Sequence, residues 1–446
     1  MLMRTSPSRD PVNAVGYFTG GGRYGYLSIR FAQAIEEESG RKLAELFQGG
    51  FIGSSVGSIA ASTASFELMS MRHLSRRFIK ELPHFMPHDP WFHGKQALVD
   101  IQNIFRETFI KVAHIDKVSD KLLDYGINSG PSALAYQFLR SGMECKKYST
   151  KESVASLYNR EYMENVIQKW FESVTLSDAP NPLFLTSQKT GPDCREPYDF
   201  YFVDPAQIKP GTELAKHNPT LNVSVSDAIL AATAMPTAFQ AHHILETGTS
   251  HTDQAQVDTG TVQLMALQNS LKNGFGMGLV QFDTFLGNHP ILAHHHNGKG
   301  WLKMIADQDL TNNHTIQTQL NAQKLHSMML GVENHHVLKF SPEDMKSAPF
   351  NDDILDTTPR EIQNMIDGMN EYLHKNKDRV ILPVVDFLVE NAYAHEVHNQ
   401  GWLGSVANLL PFSLDKNESH EQQKTTPPLL PLEEDELLPE FSNKHL

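Results

Sequence analysis

Between Gly49 and Thr63 the chain reads "GGFIGSSVGSIAAST", four glycines and four serines in fifteen positions. Of these serines only Ser55 has glycine both two before and two after it, at Gly53 and Gly57. That G-x-S-x-G frame suits a nucleophile on a sharp strand-to-helix turn, where strand and helix approach too closely for side chains on the flanking residues. The surroundings fit: "GGFI" reads as the end of a strand, and "VGSIAASTASFELM" as a helix of small and apolar residues. A strand feeding a helix through so tight a turn points to a layered α/β architecture.

A second unit of the same kind lies upstream. Residues 12–18, "VNAVGYF", read as a short strand, followed by "TGGGRYG" and a helix, "YLSIRFAQAIEEESG", that Gly40 closes. The glycine run lacks the G-K-[ST] ending of a P-loop and the G-x-G-x-x-G frame of a dinucleotide site. It suits a different task, because the backbone N–H groups of Gly20, Gly21 and Gly22 converge at a helix N-terminus, where the dipole favours negative charge. With a serine elbow following, this is the donor set that acyl transfer needs for a developing oxyanion.

Farther along, residues 67–180 carry helical periodicity and read as a helical insertion or cap. Strand-like runs return at "PLFLTS" and "PYDFYFV", then a small-residue helix, "VSDAILAATAMPTAF", and an amphipathic one at residues 358–375. The alternation predicts a mostly parallel central sheet. Beyond residue 412 the chain turns polar, acidic and proline-punctuated, and residues 413–446 are expected to be a disordered tail.

Composition excludes several functions. A formal charge of -14 with no basic run argues against nucleic acid as a partner. Two cysteines, Cys145 and Cys194, have no metal-ligand spacing and point to synthesis in a reducing, cytoplasmic compartment. The N-terminal residues hold no apolar leader, and no apolar run is long enough to span a bilayer. The 22 histidines include His242 with His243, His294 to His296, and His335 with His336. With no H-E-x-x-H and no cysteine partner, they are expected to be surface or satisfied core residues, with neither metal nor cofactor.

Four motifs in order give the chain a family resemblance. "TGGGRYG" at Thr19 to Gly25, "GSSVG" at Gly53 to Gly57, "ATAMPTAF" at Ala232 to Phe239 and "DTG" at Asp258 to Gly260 are similar to the D-G-G-G-x-[RK]-G, G-x-S-x-G, A-x-P-x-x-F and D-G-[GA] motifs of patatin-like phospholipases. The similarity spans roughly residues 14–380. It implies a three-layer α/β fold over residues 12–412 and a serine–aspartate dyad that hydrolyses acyl esters of phospholipid or lysophospholipid. Ser55 would be the nucleophile on an elbow framed by Gly53 and Gly57, Asp258 the base, and Gly20, Gly21 and Gly22 the oxyanion hole. The chain departs from the family pattern at Thr19, Tyr24 and Thr259, and after Gly260 it lacks the frequent Asn-Pro; both dyad residues are in place.

Two alternatives use the same fold: a catalytically silent binding or regulatory protein, and an acyltransferase in which another acceptor replaces water. Trp402, Leu403, Val406, Leu409, Leu410 and Phe412 offer either core packing or a peripheral membrane contact. The acidic "PLEEDELLPEF" resembles C-terminal export signals of bacterial effectors, the other reading being a solvated tail. The sequence names no protein activator.

Overall fold

The computed structural model describes residues 11–86, 160–172, 174–190, 195–201, 223–235, 239, 241–254, 256–284, 334–340 and 356–409. The strand expected at residues 12–18 is β1 (Asn13–Phe18), buried along its whole length. A 3-10 turn at Gly22–Tyr24 leads into α1 (Gly25–Ser39), which stops where Gly40 takes a left-handed φ of 64°. After α2 (Leu43–Leu46) comes the elbow unit, β2 (Gly50–Ser54) and α3 (Gly57–Phe66). The flanks of the expected insertion are α4 (Met71–Phe85) and α5 (Glu161–Trp170), both of which bury apolar side chains in the main core. Residues 87–159, and the segment 413–446, lie outside the described residues.

The chain continues through β3 (Leu183–Thr190), β4 (Arg195–Tyr201) and α6 (Val225–Ala232). Then come β5 (His242–Ile244), β6 (Thr249–Asp253), α7 (Thr259–Asn273), β7 (Met277–Asp283) and β8 (His335–Lys339). Two helices follow, α8 (Pro359–Val380) and α9 (Leu382–Leu409). Ser70, Ser224 and Thr358 cap α4, α6 and α8 with their hydroxyls, each accepting from a backbone N–H of the first turn.

The eight strands form one sheet whose central run, β3-β2-β1-β7-β8, is parallel throughout. Three antiparallel strands extend it, β4 and β6 on β3 and β5 on β6. Helices cover both faces, as expected of a mostly parallel sheet. Alternation sorts the side chains. Val15, Tyr17, Ile52, Phe184, Tyr201 and Leu279 pack with α7 residues Val262, Leu264 and Met265. Ala14, Phe18, Phe51, Leu185 and Phe282 face the larger core built with α1, α3, α4, α6, α8 and α9. There Phe18 and Phe282 stack at 4.3 Å, and each fully buried phenyl contributes about 1.5–3 kcal/mol.

One feature of the register bears on the site. β4 occupies one edge of β3 from Phe184 to Thr190, so β2 and β6 must share the other. β2 pairs with β3 up to Ser54↔Thr186, and β6 begins at the next position, Asp253↔Ser187. Where β2 turns away at the elbow, β6 takes over its edge.

Candidate active site

Ser55 stands directly after β2 with φ 51°, one of two non-glycine residues at positive φ among those described. A side chain in the left-handed region costs about 1–2 kcal/mol, so the turn holds Ser55 against its own preference. The Ser58 N–H and hydroxyl both donate to the Ser55 carbonyl, at 2.9 and 2.6 Å. The flanking glycines are steric necessities: a Cβ at Gly57 would lie 2.3 Å from the Phe18 carbonyl oxygen, and one at Gly53 2.6 Å from Ser58 Cα. Ser55 itself is 8% exposed.

The glycine loop sits against this turn on two sides. Gly57 abuts the Phe18 and Thr19 carbonyls, and Gly25 abuts Val56. Gly20 to Gly22 are therefore bracketed by the elbow, and among the described residues none accepts a hydrogen bond from their N–H groups. Thr19, where the family pattern has aspartate, is fully buried and contacts the Thr284 hydroxyl at 3.0 Å. The Thr284 N–H donates to Thr19 Oγ1 at 2.9 Å, and its hydroxyl donates to the Gly20 carbonyl. A neutral threonine pair thus fastens the loop to the end of β7. Arg23 is also fully buried; it donates to the Asp356 carbonyl at 2.6 Å and lies 3.6 Å from Glu361 at the start of α8. Its charge anchors the loop from below.

Asp258 is the N-cap of α7, accepting from the N–H groups of Gly260 and Thr261 through Oδ1. The cap leaves Oδ2 unused. Its approach is controlled by Tyr17, whose buried hydroxyl accepts from the Val257 N–H at 2.9 Å and donates to Gln256 Oε1 at 2.7 Å. Tyr17 pairs with Ile52 on β2, and two residues farther along that strand Ser54 Oγ lies 2.9 Å from Thr186 Oγ1. Asp258 is the next residue after a Tyr17 partner, and Ser55 follows the strand that pairs with β1, so the two sequence candidates lie on segments that both adjoin β1.

A second carboxylate lies in this region and was not singled out from the sequence. Asp199 on β4 pairs across from Thr186 and accepts from Thr261 Oγ1 at 2.9 Å with each oxygen. Burial pushes its carboxyl up to about 7, the Thr261 hydrogen bond opposes this, and the Asp258 charge adds to it. An acid between aromatic neighbours in "PYDFYFV" was the available signal. Tyr17 gave none beyond its place in an apolar strand.

The histidines are otherwise engaged. His242 Nε2 lies 2.9 Å from Asp227 on α6, and His243 Nδ1 3.1 Å from the Ser250 hydroxyl. His251, opposite His242, is buried between Ser187 and Thr249, and burial lowers it to about 4. Among the described residues no group of three or more His, Cys, Asp or Glu is arranged to hold a metal ion. No helix among them is long and apolar enough to cross a membrane. Cys145, Cys194 and His294 to His296 lie outside the described residues, as do the side chains of Trp402 to Phe412.

No family model matches the chain, and no curated protein matches it. Among solved structures it is similar to VipD from Legionella pneumophila, at 10% identity and a TM-score of 0.30, over 81% of this chain and 67% of that one. Agreement at that level assigns no residue a role.

Proposed function

We propose that the protein is a lipid acyl hydrolase of patatin-like type, with residues 12–412 as its hydrolase domain and phospholipid or lysophospholipid as its substrate. The observation that carries this reading is Ser55, held at positive φ on a glycine-framed elbow at the end of the strand paired with β1, whose Tyr17 hydroxyl holds the residue preceding Asp258. Ser55 Oγ attacks the ester carbonyl and its proton passes to Asp258. The N–H groups of Gly20, Gly21 and Gly22 receive the negative charge of the tetrahedral intermediate. Collapse breaks the ester C–O bond, and the leaving alcohol takes the proton from Asp258. Water, deprotonated by Asp258, then attacks the acyl-serine; the bond from Ser55 Oγ to the acyl carbon breaks, Asp258 returns the proton to Ser55 Oγ, and the fatty acid leaves.

The histidine-assisted alternative is disfavoured by the hydrogen bonds that already hold His242 and His243. The acidic tail is proposed as a delivery signal with no part in catalysis, and the Trp402 to Phe412 stretch as a peripheral lipid contact. The test is product analysis by mass spectrometry on a total lipid extract. Wild-type protein and a form lacking residues 413–446 should release fatty acid. Ser55→Ala and Asp258→Asn should each lose on the order of 1,000-fold in rate, with His242→Ala and His243→Ala retaining most activity. Folded wild-type protein that releases nothing would favour a silent binding protein, and products acylated on an added alcohol would favour a transferase.

A further inference from the structure

We propose that Tyr17 is a positioning residue for the Ser55–Asp258 pair: its hydroxyl clasps the segment that delivers the base onto β1, the strand paired with the one that delivers the nucleophile. This rests on the dyad reading above and extends it to a residue outside every motif.

A phenol has one proton and two lone pairs. The proton goes to Gln256 Oε1 at 2.7 Å, and one lone pair receives the Val257 N–H at 2.9 Å. Both bonds reach the same short segment, so Tyr17 ties the α7 lead-in to β1, which pairs with β2 up to the elbow. Burial favours the protonated phenol, which keeps its donor in place.

Chain geometry makes the clasp necessary. β6 ends at Asp253 in line with β2, and α7 begins at Thr259 on the face that also carries Tyr17. The intervening segment must cross from one to the other. Besides the clasp, the Asp253 N–H donates to the Ala234 carbonyl at its start, the Gln256 N–H to the Gln254 carbonyl within it, and Asp258 caps α7 at its end. Losing the hydroxyl leaves Asp258 capping α7 while freeing the approach that sets its position relative to Ser55. A displacement of about 1 Å in a reacting group lowers the rate by up to about 100-fold.

Tyr17→Phe keeps the ring among Val15, Ile52, Phe184 and Val257, so the core remains filled. On a chromogenic medium-chain ester, Tyr17→Phe is expected to lower kcat by about 30-fold while KM changes by less than about twofold. Phosphonylation of Ser55 by a fluorophosphonate should slow in parallel. A stability loss with kcat within about twofold of wild type would overturn the proposal, since a merely structural hydroxyl moves the melting temperature alone. Gln256→Ala leaves the ring and the Val257 bond in place, and should lower kcat by about fivefold; it decides the matter if Tyr17→Phe does not fold. Ser55→Ala and Asp258→Asn run beside them. Activity persisting in either removes the dyad reading itself, whereas dead controls beside a fully active Tyr17→Phe remove only the clasp.

Discussion

Asp199 and Asp258 show how one helix terminus gives two carboxylates different work. Asp258 uses Oδ1 for backbone N–H groups, and the half-buried Asp199 on β4 receives, among the described residues, only the Thr261 hydroxyl. Burial, reinforced by the neighbouring charge, raises Asp199 from its ordinary 3.8 to about 7. The linkage sign follows from where each state loses its proton. Between about pH 4 and pH 7 the unfolded chain has released the Asp199 proton and the folded chain still holds it. Stability therefore falls as pH rises through that window and levels off above it. The full contribution is at most about 4 kcal/mol. Asp199→Asn keeps an acceptor for Thr261 and cannot ionise. Its melting temperature, measured against wild type from pH 4 to pH 8, should gain on wild type as pH rises. Curves that remain parallel would show that another group titrates.

At the scale of elements, the glycine loop depends on two remote anchors, Thr284 at the end of β7 and the start of α8 gripped by Arg23. Removing one partner of a buried charged contact costs about 3–5 kcal/mol, because the other is left without compensation. Arg23→Ala should lower stability by that order in denaturant unfolding and lower kcat as well, since the same side chain steadies Gly20 to Gly22. Unchanged kcat in a destabilised variant would separate the anchor from the loop's chemistry. These anchors also mark where sequence reading stops. The elbow and the β1–α1 unit were legible because glycine frames, strand runs and the Gly40 stop are local signals. Thr284 lies 265 residues from Thr19 and Gln256 239 from Tyr17, so their pairing exists only after the sheet has ordered its strands. β7 buries Gly278, Leu279 and Val280 in succession and so carries no period-two alternation, and the short β5 and β8 carry exposed or half-buried histidines instead of an apolar run.

For the whole molecule, the sheet order supports the proposal that residues 55 and 258 share a site. A parallel centre sends β1, β2 and β7 toward the same edge, as ligand sites in open α/β sheets require, and β6 returns along the line that β2 vacates. The proposed site of Gly20 to Gly22, Ser55 and Asp258 draws on three parts of the chain, and the proposal turns on whether Ser55 is an activated nucleophile. The direct measurement is reaction with a long-chain fluorophosphonate followed by peptide mass mapping. The expected result is a single phosphonyl adduct on Ser55, absent from Ser55→Ala and formed about 100-fold more slowly in Asp258→Asn. Undiminished labelling of Ser55→Ala, or an adduct on any other serine of the wild-type protein, would contradict it.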